Sequence, residues 1–369
     1  MVSSFDNPLA EAHVERIIEE FPLDLSSTSP VHIRGLRRDA RLFEVEVDCS
    51  PLIQTGVGQG KHYIIDTPQC REVACHPHIV GEGLRDLCQG AAVEFREAMT
   101  GLGLFEGGSL AIVNILRGSS GYRLVDLFNG DVPNFTVRTQ YRGDGYRAHT
   151  DDARRIGVTY RDYSEDDHRF RGVKMVVVPD TFATGRSAEA ALQDLMRAGL
   201  EPETVVIYGF TAVPALVRIS GVCEDHGLEL VSFSLCDISQ LAHNNYDMPI
   251  YGLDESLYTS MGGMRRMGSI IDSKTLKDVL PQYVAGMDQP GDWSERQSTL
   301  FNGRGNEVGD MMGHLTKSLR LIESLNEINR EQPWYSELHS GIADRELKMI
   351  WEALESLERH VEMGFRLIE

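Results

Sequence analysis

Nothing in the sequence is long and apolar enough to cross a bilayer: the strongest apolar runs, such as Met175–Val178, fall far short of the roughly 20 residues of a transmembrane helix. Met1–Glu20 carries acidic residues and lacks the apolar core of a secretory signal, so a cytoplasmic protein is expected. Cysteine is scarce. The six in 369 residues, Cys49, Cys70, Cys75, Cys88, Cys223 and Cys236, do not make a disulfide framework and read as reduced thiols. Basic residues are outnumbered, 36 Lys and Arg against 56 Asp and Glu, and the net charge of −20 argues against general nucleic-acid binding or an anionic-membrane surface. An anionic ligand has to be held by a local site. There is no internal repeat. What is present is 41% hydrophobic and 25% charged residues, ordinary for a globular protein, in a chain long enough for one large domain with appendages or for two domains.

The spacing of Ala10, Val14, Ile17 and Ile18 predicts a helix over Pro8–Phe21, ended by Pro22. Alternation at Phe43, Val45 and Val47 and again over Tyr63–Ile65, around Gly56-Val57-Gly58-Gln59-Gly60, predicts a β-hairpin. Leu84, Leu87, Ala91 and Phe95 mark a helix over Val80–Met99. The middle of the chain then alternates strands and helices. Leu110–Leu116 precedes helical Tyr122–Phe128, Phe135–Tyr141 is a further strand, and Val173–Val178 leads to a helix over Ser187–Ala198 closed by Gly199. Thr204–Phe210 and Leu228–Leu235 add two strands, so the order predicts parallel βαβ units in an open α/β sheet. Pro290, Gly291, Gly303 and Gly305 break every period between Ala285 and Asn306, which reads as a linker. Beyond it, Val308–Asn329 and Ile342–Ile368, separated by Pro333, read as an antiparallel helix pair. The second presents Leu347, Ile350, Trp351, Leu354, Leu357 and Val361 to the body or to a second subunit.

The most informative stretch is Met175-Val176-Val177-Val178-Pro179-Asp180-Thr181-Phe182-Ala183-Thr184-Gly185-Arg186-Ser187. A buried strand ends in an acid, and a short Thr/Ala/Gly/Ser turn opens a helix. That order gathers backbone N–H groups, hydroxyls and the positive end of a helix dipole around one point, a site for a phosphate monoester. The adjacent carboxylate can serve ribose hydroxyls or a Mg2+ ion. In an open α/β sheet, ligands collect at the carboxyl ends of the strands, where this loop falls. A plain capped helix start with Ser187 accounts for the same residues without a ligand.

The segment resembles the 5-phosphoribosyl-1-pyrophosphate (PRPP) motif of type I phosphoribosyltransferases, and Ala183-Thr184-Gly185 followed by Ala188 and Ala191 is most similar to the uracil phosphoribosyltransferase branch. Asn114-Ile115-Leu116-Arg117-Gly118 resembles that branch's pyrophosphate loop, and Tyr141-Arg142 the start of its mobile loop. Ala212-Val213-Pro214 resembles its Ala-Ala-Pro turn, and Tyr246-Asp247-Met248-Pro249 its base-binding hood. The matches run in the family's order from about Leu110 to Tyr258. There are two departures. Where the branch has an acid and then proline, this chain has Pro179 and then Asp180, and after the hood Ile250-Tyr251-Gly252-Leu253-Asp254-Glu255-Ser256 replaces Gly-Leu-Gly-Asp-Ala-Gly-Asp.

The resemblance implies an open, mostly parallel sheet of phosphoribosyltransferase type. Residues 101–284 would form the α/β domain with a hood near 242–258, after an N-terminal extension over 1–100 and before a linker over 285–307 and a helical segment over 308–369. It implies a Mg2+-dependent enzyme that moves 5-phosphoribosyl from PRPP to a small, pyrimidine-like nitrogen heterocycle, releasing pyrophosphate, as a homo-oligomer. Asp180 and Arg117 would be catalytic, with Asp180 also on the metal. PRPP would be bound by Asp180, Thr181, Ala183, Thr184, Gly185, Arg186 and Ser187, and pyrophosphate by Arg117, Gly118, Ser119 and Arg142. Tyr246, Asp247, Met248, Ile250 and Asp254 would bind the base, and the replaced run after the hood makes uracil a poor acceptor. Pro179 and the unmatched helical tail leave a second reading, an inactive PRPP- or nucleotide-sensing regulator on the same fold.

Other candidates are weaker. Arg142, Arg147, Arg154 and Arg155 lie in a Gly-, Asp- and Tyr-rich stretch suited to a loop closing over pyrophosphate. Gly56–Lys61 lacks P-loop spacing and reads as a hairpin turn. Cys70 and Cys75-His76-Pro77-His78 are metal-ligand types, but the spacing matches no standard zinc pattern and a partner pair is missing. His243 fits either a base pocket or a surface loop.

Overall fold

The computed structural model describes residues 8–53, 60–104, 110–128, 132–142, 155–257 and 265–366. Helix α1 (Pro8–Glu20) precedes β1 (Thr28–Val31), β2 (Arg41–Val45) and β3 (Gly60–Asp66), paired antiparallel in sequence order, so the expected hairpin is a pairing of β2 with β3. Helices α2 (Pro68–Cys75) and α3 (Gly81–Gly101) lead to β4 (Leu110–Leu116), the short α4 (Leu124–Leu127), β5 (Asn134–Arg142) and β6 (Arg155–Arg161). Then come β7 (Met175–Pro179), α5 (Arg186–Arg197), β8 (Thr204–Ala212), α6 (Val213–His226) and β9 (Glu229–Ser239). Short pieces follow: β10 (Gly252–Leu253), β11 (Arg266–Met267), β12 (Ser269–Ile270), α7 (Ser273–Val279), β13 (Leu300–Phe301) and β14 (Asn306–Glu307). Two long helices, α8 (Met311–Arg330) and α9 (Glu337–Arg366), close the chain.

The main sheet has the order β1-β2-β3-β9-β8-β7-β4-β5-β6, with β12 beside β9. From β3 through β5 every neighbouring pair in that order is parallel, and the flanking β2 and β6 are antiparallel. Strands covered on both faces read as continuous apolar runs, as in the Met-Val-Val-Val-Pro of β7. Val176 and Val178 pack on α5 and α6, whereas Val177 joins the core under α2, α3, α8 and α9, as alternation along a strand requires. The chain leaves β4 toward β5 on one side and leaves β7 toward β8 on the other. The strand order therefore reverses between β4 and β7, the place where an open α/β sheet forms a ligand crevice.

Several segments sit differently from expectation. The stretch set apart as an N-terminal extension supplies β3, which pairs with β9 from Gly60↔Leu230 to Ile65↔Leu235 and is part of the sheet. The stretch 285–307, read as a linker, is packed against the body, with Met287, Asp288, Gln289, Arg296, Gln297 and Leu300 buried. The helix pair is present, and Leu315, Ile322, Leu325, Trp334 and Ile350 belong to one core with the sheet. Trp351, expected on that packed face, is 56% exposed because the buried line runs through Ile342, Glu346, Ile350 and Leu354. Among the described residues, no helix is long and apolar enough to cross a membrane.

Candidate active site

The loop after β7 is stitched to β8 by its backbone. Asp180 N–H donates to the Tyr208 carbonyl at 3.1 Å, Phe182 N–H to the Phe210 carbonyl at 2.8 Å, and Ala212 N–H to the Phe182 carbonyl at 2.9 Å. Gly209 sits where a Cβ would collide with the Asp180 carbonyl, and its φ of 149° is one that other residues rarely adopt. Gly185, at φ 74°, caps the N-terminus of α5 and packs on α6, where an added Cβ would come within 3.0 Å of Ala215 Cα. A Gly185→Val change would thus strain the α5–α6 contact whatever the loop binds, so Thr184 and Ser187 are the cleaner probes of this loop.

The loop after β4 begins at a cis Leu116–Arg117 peptide and turns through Gly118–Tyr122. Ser119 is buried and its hydroxyl accepts from Ile115 N–H at 2.7 Å, which closes the turn. The Tyr122 and Thr181 hydroxyls meet at 2.6 Å and tie the two loops together. Trp293 donates its indole N–H to the Gly118 carbonyl at 2.9 Å and stacks on Tyr122 with ring centroids 4.5 Å apart.

These loops bound a cavity of about 370 Å³ at the reversal of strand order. Arg117, Gly118, Asp180, Thr181, Ala183 and Ser187 line it from the sheet, Tyr246 from the hood, and Asp288, Asp292, Trp293 and Glu295 from the 285–307 stretch. Removal from bulk water pushes the Asp180 carboxyl up to about 7, only partly offset by the Thr181 N–H. Burial next to Asp247 drives Asp288 well above the usual carboxylate range. Asp292 goes the other way, down to about 2, through hydrogen bonds with His314 and Lys317. Arg117 extends between two acids, with Nη1 2.6 Å from Glu307 and Nη2 bonded to Glu295.

Seven of the sequence-derived candidates therefore meet in one cavity: Arg117, Gly118, Asp180, Thr181, Ala183, Ser187 and Tyr246. Thr184, Gly185 and Arg186 belong to the same loop but do not line the cavity. Arg142 ends β5, paired through its backbone with Arg155; both side chains, and residues 143–154 with Arg147 and Arg154, lie outside the described residues, as does Gly56–Gln59. Of the base-binding set, Met248 and Ile250 are fully buried in the core, and Asp247 accepts from Asn244 at 2.8 Å. Asp254 accepts from His243 N–H at 2.7 Å and from the Ser256 hydroxyl, so it braces the hood from inside. The acids that do reach the cavity, Asp288, Asp292 and Glu295, were masked by the Pro/Gly composition around them. Trp293 was the available signal, since a tryptophan is rarely left without packing.

No protein-family model matches the chain, and no curated protein does. Solved structures are similar at low identity. Adenine phosphoribosyltransferase from Trypanosoma brucei, in complex with AMP, pyrophosphate and ribose-5-phosphate, is 13% identical over 47% of this chain and 83% of its own, with a TM-score of 0.30. A hypoxanthine phosphoribosyltransferase from Staphylococcus aureus is 11% identical over 52% of this chain and 89% of its own, TM-score 0.26. A hypothetical protein from Neisseria gonorrhoeae with bound ppGpp is 17% identical over 42% of this chain and 80% of its own, TM-score 0.26. All three TM-scores lie below 0.5, and none of these likenesses bears on what this chain does.

Proposed function

We propose that this protein transfers a 5-phosphoribosyl group from PRPP to a nitrogen heterocycle and releases pyrophosphate. The observation that carries this reading is that the loops after β4 and β7, flanking the reversal of strand order, share one cavity. The 5-phosphate would sit at the N-terminus of α5 near Ser187, where backbone N–H groups converge. Asp180 would accept hydrogen bonds from the ribose hydroxyls. Arg117 and the Gly118 N–H would face the departing pyrophosphate, as donors aimed at developing negative charge. For this, the guanidinium must exchange Glu295 and Glu307 for phosphate oxygens. The carboxylate of Asp180 is a hard oxygen donor suited to Mg2+. Bound at Asp180 and the phosphates, the ion would offset the charge of the donor.

The acceptor end is acidic and aromatic. Asp288 and Asp292 with the rings of Trp293 and Tyr246 favour a planar, pyrimidine-like heterocycle with amino or cationic donors, and uracil, whose two carbonyl oxygens would meet these acids, is expected to be a poor one. The engagement of Arg117 by two acids favours a second reading, a regulator that binds PRPP without turnover. Incubation with PRPP and Mg2+ across a panel of nucleobases and related heterocycles, reading pyrophosphate release, separates the two. Acceptor-dependent release is expected; tight PRPP binding with no release from any acceptor would replace the transferase with the regulator.

The environment of Asp180 sets a pH dependence. Its carboxyl titrates at about 7 when folded, above the value of about 4 expected unfolded, so folding favours the protonated form. This group's contribution to stability therefore falls as pH rises through that window, and Asp180→Asn should be the more stable protein above pH 7 in the absence of ligand. Turnover should rise over the same range in the wild type, and the asparagine variant should lack that limb. Thermal midpoints that track pH identically in both proteins would show that Asp180 is not the titrating group.

A further inference from the structure

The loop between α2 and α3 holds two imidazoles on one buried carboxylate from the far end of the chain. His76 Nδ1 is 2.9 Å from Glu346 Oε2, and His78 Nδ1 is 2.6 Å from Glu346 Oε1. Glu346, on α9, is only 2% exposed. All three ligand atoms lie within 4.8 Å of one another. The loop is rigid on its other side, because Arg296 Nη2 donates to the His76 carbonyl at 2.9 Å and the Pro77 carbonyl lies 2.9 Å from His314 Nε2.

The surroundings of His76 fix its ring on both sides. Its second nitrogen, Nε2, faces Gln282 Oε1 at 3.2 Å, and the amide is held in that orientation because Gln282 Nε2 donates to the Asp278 carbonyl at 2.8 Å. Both ring nitrogens of His76 therefore face acceptors. A neutral imidazole carries one N–H and satisfies one of them, whereas an imidazolium satisfies both. A cation between Nδ1 and Glu346 satisfies both as well: Nδ1 becomes a ligand, and Nε2–H donates to Gln282, the outer hydrogen bond that metal-bound histidines make almost without exception.

We propose that His76, His78 and Glu346 bind one divalent transition-metal ion, with zinc the best match to two imidazoles and a carboxylate. Zn–N and Zn–O bonds of about 2.0–2.2 Å place tetrahedral ligands roughly 3.4 Å apart, so His76 and His78, at 2.9 and 2.6 Å, need to move off Glu346 by less than about 1 Å. The histidine side chains, 12% and 16% exposed, reach solvent and leave the fourth position to water. The ion would clamp α9 onto the α2–α3 loop. Through Arg296, which also donates to the Pro290 carbonyl at 3.0 Å, that loop is joined to the wall of the cavity.

The test uses the full chain stripped with a chelator and titrated with Zn2+ by calorimetry, and with Co2+ by visible absorption. One ion per chain is expected, with a raised thermal midpoint and a tetrahedral Co2+ spectrum. His78→Ala should abolish all three. Gln282→Ala, which leaves every ligand in place, should weaken zinc by about 10–100-fold. A wild-type chain that takes up no stoichiometric zinc and shows no Co2+ spectrum would overturn the proposal and leave an imidazolium–carboxylate clamp. Equal zinc binding by wild type, His78→Ala and Gln282→Ala would overturn it too, by placing the ion elsewhere. The Co2+ spectrum of the wild type decides the matter even if the alanine variants fold poorly.

Discussion

Replacing Arg296 with methionine should cost about 3–5 kcal/mol of stability, because it leaves several buried carbonyls without a donor. Arg296 is fully buried, in a stretch whose composition reads as a linker. Among the described residues its guanidinium donates only to backbone carbonyls: Val73 and Pro290 through Nη1, His76 and Ile79 through Nη2, and Ile79 again through Nε. Val73 and His76 lie at the C-terminal end of α2, where helix carbonyls lack internal partners and the dipole favours a cation. Burial pulls the guanidinium down to about 10, still protonated at neutral pH. Methionine removes the charge and most of its desolvation penalty but takes the donor from four carbonyls, of which that of His76 keeps another in Ile79 N–H at 3.2 Å. Each unpaired buried group costs about 1–3 kcal/mol, more in sum than relieving the penalty returns. Arg296→Lys should fall between, since three donors on a point charge cannot serve four carbonyls. Urea midpoints at fixed protein concentration measure this. A methionine variant within about 1 kcal/mol of wild type would mean that water or a shifted backbone satisfies the carbonyls.

The same residue shows why part of the molecule was legible in the sequence and part was not. The strands β4, β7, β8 and β9 announce themselves because burial on both faces demands continuous apolar runs, and the loop from Asp180 to Ser187 shows itself because an acid, hydroxyls and glycine interrupt such a run at a helix start. Each of those signals is local. The 285–307 stretch has no period because irregular buried backbone is held by bonds to residues far away in sequence, as Arg296 is to Val73 and Trp293 to Gly118. Pro290 and Gly291 mark a change of chain direction there, which composition alone cannot tell from a free linker. Glu346 is hidden for a related reason. On α9 it occupies a position that the helical period assigns to the core, and only the fold brings it to His76 and His78. Trp351 lies one residue from Ile350, about 100° around the helix, and that rotation carries it off the packed face.

If the cavity performs phosphoribosyl transfer, Arg117→Ala should slow turnover by about 10²–10³, the cost of deleting one donor aimed at developing negative charge. Stability should hardly change. Arg117 is one-third exposed, with ion pairs to Glu295 and Glu307 that are likewise open to solvent, and such pairs contribute about 0–1 kcal/mol. On that reading the 5-phosphate end of the cavity would be the other loop, at Asp180–Ser187, so ribose 5-phosphate should bind the variant as it binds wild type. The two glutamates sharpen the test. In the ligand-free site they hold the guanidinium that pyrophosphate must claim, so a Glu295→Gln, Glu307→Gln double variant should bind pyrophosphate more tightly while an Arg117→Ala variant binds it less. Large rate loss with unchanged ribose 5-phosphate affinity and unchanged thermal midpoint marks a group acting on the leaving pyrophosphate. Equal losses in rate, ribose 5-phosphate binding and stability would instead make Arg117 a scaffold residue, held between Glu295 and Glu307 to fasten the 285–307 stretch over the sheet.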